Sequence, residues 1–201
     1  MIKITISGLL KEEPKFLHEC KGENFYGAVI VSERLSGATD ELPCVIPEIY
    51  ASGLRESDRV KFIGEIRTRN VDNGGKRKLD LFVFVTELAE YGDEDENNVE
   101  IDGSICKEVN YRETPLGRQI ADMLVASNRK YGRSDYIPCI CWGRNAIKVA
   151  SLQIGDRIGL YGRFQSREYT KMTENGVEVR TAYEVSASCV ELGGFEDESG
   201  Y

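Results

Sequence analysis

The chain repeats itself, and the repeat limits it to two copies of one small domain. Leu42-Pro43-Cys44-Val45-Ile46 leads to Leu54-Arg55-Glu56-Ser57-Asp58-Arg59-Val60-Lys61-Phe62-Ile63-Gly64-Glu65-Ile66-Arg67-Thr68-Arg69. Further on, Ile137-Pro138-Cys139-Ile140-Cys141 leads to Leu152-Gln153-Ile154-Gly155-Asp156-Arg157-Ile158-Gly159-Leu160-Tyr161-Gly162-Arg163-Phe164-Gln165-Ser166-Arg167. The same apolar runs, Asp-Arg turn and glycine recur in order, which is the signature of internal duplication. A length of 201 residues accommodates two domains of about 100 each. The copies differ in aromatic content. Tyr136, Trp142 and Tyr169 stand in the second, and the aligned positions of the first hold Glu41, Pro47 and Val71.

Most segments read as strands. Phe25–Val31, Leu79–Val85, Ile120–Ser127, Ile137–Trp142 and Arg157–Phe164 are short apolar or alternating runs bounded by turn residues. Asn145–Leu152 places Ile147, Val149, Ala150 and Leu152 near one helical face, and Pro47–Leu54 fills the same slot in the first copy, with Pro47 suited to a first turn. Asp72-Asn73-Gly74-Gly75 and Thr173-Glu174-Asn175-Gly176 carry the Asn and Gly that hairpin turns require. Five strands with a helix after the third is the plan of the OB-fold, a small Greek-key barrel. The reading is an all-β chain of two tandem OB-fold domains, each with one short helix. Residues 1–90 form the first, 91–98 an acidic linker, 99–192 the second and 193–201 a short acidic tail.

Composition narrows the function. The net charge of −8 taken alone disfavours a polyanionic partner, but the charge is unevenly placed. Residues 109–180 hold 12 Lys and Arg against 7 Asp and Glu, a balance of +5, whereas residues 1–97 hold 13 against 19, a balance of −6. Location rather than total decides whether phosphates can be held. No run approaches the roughly 20 apolar residues of a membrane span, and the start of the chain alternates like a strand rather than a signal peptide. This predicts a soluble cytoplasmic protein with no membrane partner. None of the six cysteines forms a C-x-x-C and His18 is the sole histidine, so no metal or other cofactor is expected. Cys44 and Cys139 lie at matched positions inside apolar runs and read as buried free thiols. No phosphate-binding loop and no partner for His18 are present, so catalysis is not expected.

The second copy resembles the bacterial single-stranded DNA-binding protein family over most of Val99–Leu192. The carrying residues are Asp102-Gly103-Ser104, Thr114-Pro115-Leu116-Gly117-Arg118, Val125-Ala126-Ser127-Asn128, Tyr136–Gly143 and Gly155–Tyr169. The first copy is a degenerate version, similar chiefly through Ser7-Gly8-Leu9-Leu10 and Gly64–Arg69. The resemblance implies base stacking on Tyr131, Tyr136, Trp142 and Tyr169. It also implies phosphate contacts from Arg112, Arg118, Arg129, Lys130, Arg133, Arg144, Arg163, Arg167 and Lys171. Stacking tolerates any sequence because every base has a π-face, and phosphate neutralisation adds a salt-dependent contribution.

Plainer roles compete at single positions. Trp142 ends an apolar run and also suits a core, Tyr161 suits either side of the sheet, and Arg157, matched by Arg59, reads as structural. In the first copy Leu35 and Ser36 stand at the Lys130 and Tyr131 positions and Glu41 at Tyr136, so residues 1–90 are expected to bind DNA weakly and to serve assembly. The resemblance further implies sequence-independent single-stranded DNA binding in replication, recombination or repair. A homodimer would present four OB domains, and replication or repair proteins would be partners. Phe195 and Tyr201 supply at most a reduced tail hook. The rival readings are a replication-restart adaptor whose domains mainly bind proteins, and an RNA-binding OB protein.

Overall fold

The structure, a computed structural model, describes residues 1–73, 76–92, 94–129, 132–173 and 176–195. The first copy contains β1 (Ile2–Leu10), β2 (Lys15–Cys20), β3 (Glu23–Glu33), β4 (Thr39–Pro47), α1 (Glu48–Ala51), β5 (Arg59–Asn73) and β6 (Lys76–Ala89). The second contains β7 (Asn97–Ile105), β8 (Asn110–Glu113), β9 (Gln119–Asn128), β10 (Ser134–Trp142), α2 (Arg144–Val149), β11 (Arg157–Thr173) and β12 (Gly176–Leu192). Both helices fall where the sequence places them, and Pro47 is the N-cap of α1 rather than its first helical residue.

In the first copy β1 pairs with β3, β3 with β4, β4 in parallel with β6, β6 with β5, and β5 returns to β1. In the second, β7, β9, β10, β12 and β11 close in the same order, with β10 and β12 again the parallel pair. Each copy is therefore a closed five-stranded OB barrel with its helix after the third barrel strand. The strands β2 and β8 are additions outside the predicted five, at the edges of β3 and β9. All of their residues are exposed, which is why no apolar alternation announces them. The turn residues Gly74-Gly75 and Glu174-Asn175 lie outside the described residues.

The alternating faces meet inside each barrel. Ile6, Leu10, Ile30, Leu42, Ile46, Phe62 and Ile66 fill the first, and Ile101, Ile105, Val125, Ile137, Cys141, Ile158 and Leu160 fill the second. Each such side chain contributes about 1.5–3 kcal/mol by leaving water. The shared glycine has a steric cause. A Cβ at Gly64 would sit 2.2 Å from the Phe84 carbonyl oxygen, and one at Gly162 would sit 2.3 Å from that of Ser186. The shared Asp of the turn also acts alike in both copies: Asp58 accepts the Arg55 N–H and Asp156 the Gln153 N–H, each at 2.8 Å.

By contact the chain divides into two compact units, neither of which is one stretch of sequence. One holds Met1–Ile4, Asn98–Arg163 and the segment from Val185; the other holds Thr5–Asn97 and Phe164–Glu184. The outer part of the β11–β12 hairpin thus packs with first-copy residues. The acidic stretch read as a bare linker is fastened by polar bonds. Arg59 Nη1 donates to Tyr91 Oη (2.5 Å), Tyr91 Oη to Asp95 (2.6 Å), and Lys61 pairs with Glu96 (2.5 Å). Asp93 of that stretch lies outside the described residues. Phe195, read as half of a hook, packs on Tyr161 with ring centroids 4.8 Å apart and lies over Gly159. The remaining tail, with Tyr201, lies outside the described residues. Among the described residues no helix is long and apolar enough to cross a membrane, and no cluster of three metal-ligating side chains occurs.

Candidate nucleic-acid interface

Alternation along β10 sorts its residues. Asp135, Ile137, Cys139 and Cys141 face the core, whereas Tyr136, Pro138, Ile140 and Trp142 share the other face. Register extends this outer face over β9 and β8. Tyr136 is opposite Ala126, Ile140 opposite Asp122, and Trp142 opposite Ile120, which in turn pairs with Arg112. Tyr136 is 44% exposed and Trp142 42%, so both rings are partly open to solvent over small or buried neighbours. The core reading of Trp142 is thereby set aside. Two devices hold the tryptophan at the strand end. Gly143 takes a positive φ of 55° to turn into α2, and its N–H donates to Gln119 O at 2.9 Å. A hollow of about 400 Å³ opens there, lined by Gly117, Arg118, Gln119, Trp142 and Gly143. Gln119 was given no role by sequence, and Gly117 only as part of the Thr114–Arg118 motif, since backbone-lined hollows leave no residue-type signal.

The predicted cations divide into two groups. Arg118, Arg133 and Arg144 are exposed and form no ion pair among the described residues. Arg112 is also exposed but bonds Asp122 across the strand pair, so its charge is partly neutralised. Arg129 forks onto both carboxylate oxygens of Asp135, which is only 1% exposed. The first copy has the same device: Arg34 Nε and Nη2 donate to the fully buried Asp40 at 2.8 and 2.5 Å. That bond holds the Arg34 guanidinium proton more tightly than usual. A fork repeated in both copies, on a buried acid, is a structural clasp across the strand turn. Arg163 is half-buried. Lys130 and Tyr131 lie outside the described residues.

Tyr169 belongs to the other unit, on the outer β11–β12 hairpin. It is 37% exposed, the Arg167 guanidinium lies 6.0 Å from its ring centre, and Lys171 is exposed two residues on. Arg180, on β12, donates to Glu178 at 2.7 Å, and that bond, with a smaller contribution from Tyr169, holds its guanidinium proton more tightly than usual. Sequence reading passed over Arg180 because only strand pairing brings it to Tyr169.

Residues 96–192 match the model of the Single-strand binding protein family. The chain is 32% identical over 90 residues to single-stranded DNA-binding protein B of Bacillus subtilis, covering 41% of this chain and 78% of that protein. The chain belongs to the single-strand binding protein family. It is also 32% identical over 117 residues to single-stranded DNA-binding protein A of the same organism, covering 52% of this chain and 66% of that protein. The crystal structure of the wild-type single-stranded DNA binding protein from Thermus aquaticus superimposes with a TM-score of 0.78 at 17% identity, covering 100% of this chain and 97% of that one. At that identity the likeness is one of fold, and it extends the family's barrel to the first copy. The family is one of binding proteins and not of enzymes. Its sequence match falls on the copy that carries Tyr136 and Trp142.

Proposed function

We propose that the protein binds single-stranded DNA without regard to sequence and protects it during replication, recombination or repair. The observation that carries this reading is the open β10 face, where Tyr136 and Trp142 lie on one side of the strand, each about two-fifths exposed. Bases stack on these rings and on Tyr169, with Tyr131 as a further member of the set. Arg112, Arg118, Lys130, Arg133, Arg144, Arg163, Arg167 and Lys171 meet phosphates. Arg129 is reassigned to support, because its guanidinium is committed to Asp135. In this reading residues 99–192 form the binding domain and residues 1–90 the assembly domain. A cytoplasmic homodimer presents four barrels, and replication or repair proteins are its further partners.

The test is Trp142→Ala combined with Tyr169→Ala, assayed against poly(dT). Stacking is worth about 1–3 kcal/mol per base, so at least a tenfold loss of affinity is expected with folding intact. Unchanged affinity would remove these rings from the site.

A further inference from the structure

We propose that Asp40, in the copy that lacks the aromatic face, is a positioning residue for DNA binding: with Arg34 it clasps the base of the β11–β12 hairpin at Ser166 and so aims Arg167 and Tyr169. The inference rests on the proposed DNA-binding role of that hairpin.

The observations lie within one unit. Asp40 Oδ1 accepts the Ser166 backbone N–H at 2.8 Å and its hydroxyl at 3.2 Å. Arg34 Nη2 donates to the Ser166 carbonyl oxygen at 3.0 Å while the same guanidinium forks onto Asp40. Both backbone polar groups of Ser166 are therefore held by one ion pair. Two residues earlier, Asn97 repeats the arrangement: its Nδ2 donates to Phe164 O at 2.8 Å and its Oδ1 accepts the Phe164 N–H at 2.9 Å. Phe164 is fully buried.

Beyond Ser166 most described hairpin residues are exposed, and Arg167 pairs with Glu184 at 3.7 Å. Met172 is 80% exposed, Val177 62% and Val179 65%. With little buried surface among its described residues, the direction of this arm is set at its base. Arg167 directly follows the clasped residue, and Tyr169 stands on the same side of the strand as Arg167. A buried carboxylate is costly unless paired and hydrogen-bonded, and Asp40 is both. The first copy has exchanged aromatics for Glu41 and Pro47 but kept this pair. Its acid thereby serves a polyanion-binding surface that it does not itself touch.

The sign of the Asp40→Asn effect separates positioning from plain charge. Removing an acid should tighten DNA binding if charge alone matters. Positioning predicts about tenfold weaker binding to poly(dT) with the fold retained by circular dichroism. The slope of log affinity against log salt should become shallower by about 0.7 for each phosphate that is no longer neutralised. In a double-mutant cycle, Arg167→Ala with Tyr169→Ala should weaken the native protein but add less than twofold on top of Asp40→Asn. If Asp40→Asn fails to fold, Arg34→Lys, which keeps the charge beside Asp40 and loses the fork onto Asp40 with its bond to the Ser166 carbonyl, should give the same non-additivity. Tighter or unchanged binding by Asp40→Asn, or additive losses, would overturn the inference while leaving the DNA-binding reading in place. A native protein that does not bind poly(dT), or one indifferent to Arg167→Ala with Tyr169→Ala, would overturn both the hairpin's role and this inference.

Discussion

The β3–β4 and β9–β10 faces are built on one frame and finished differently. Cys44 and Cys139 occupy matched inward positions, their thiols directed to the Leu42 and Ile137 carbonyls at 3.7 and 3.5 Å. Asp40 and Asp135 each anchor an arginine, and Gly64 and Gly162 each admit a neighbouring backbone. On the outer face the first copy has Glu41 and Pro47 at the positions of Tyr136 and Trp142, and Glu41 is tied to Lys11 at 2.6 Å. The duplication is an internal control. What both copies keep is needed to close a barrel, and what only one keeps is free for work at the surface.

Four outcomes test that division, from the largest effect to the smallest. Arg34→Ala and Arg129→Ala should each destabilise folding by about 3–5 kcal/mol in urea denaturation, because each leaves a buried carboxylate without its paired charge. A loss below about 1 kcal/mol for Arg129→Ala, with a sharp drop in DNA affinity, would return that residue to the phosphate set. Next, Tyr136→Ala with Trp142→Ala should weaken poly(dT) binding at least tenfold, at about 1–3 kcal/mol per stacked base. Glu41→Ala with Pro47→Ala should leave affinity within about twofold, and equal losses for the two pairs would erase the contrast between the faces.

The barrels, their strand order and both helices were legible in the sequence because apolar alternation and turn chemistry are local signals. The edge strands β2 and β8 were not, since Lys15–Cys20 and Asn110–Glu113 are exposed throughout. Nor was the outer half of β11, where Arg167–Met172 shows no buried face. The exposed aromatics Tyr136 and Trp142 were legible from their absence in the first copy. The commitment of Arg129 was hidden, because its partner lies six residues away across a turn. The hold of Asp40 on Ser166 spans 126 positions, and no spacing rule reaches that far.

The cysteines supply the third outcome. Burial pushes the Cys44 and Cys141 thiols from an ordinary 9.0 up to about 12. The folded state keeps these protons where the unfolded chain releases them. Their contribution to stability is therefore intact below about pH 9 and lost as pH rises from 9 toward 12. Cys20 and Cys189 are exposed, so a thiol reagent at neutral pH should label these two in the folded protein and reach Cys44, Cys139 and Cys141 only after unfolding. Rapid labelling of Cys44 or Cys139 would contradict the shared frame. Last, Arg118→Ala or Arg144→Ala should each lower the salt slope by about 0.7 and leave stability unchanged. An unchanged slope would move that arginine off the path of the strand.

The most direct test of the central claim is the fluorescence of Trp142, the only tryptophan, titrated with poly(dT) at low and high salt. Stacking of a base on the β10 face predicts strong quenching at low salt and weaker binding at high salt. Binding without quenching would contradict the assignment of that face, and no binding by an independent assay would contradict the proposed function itself.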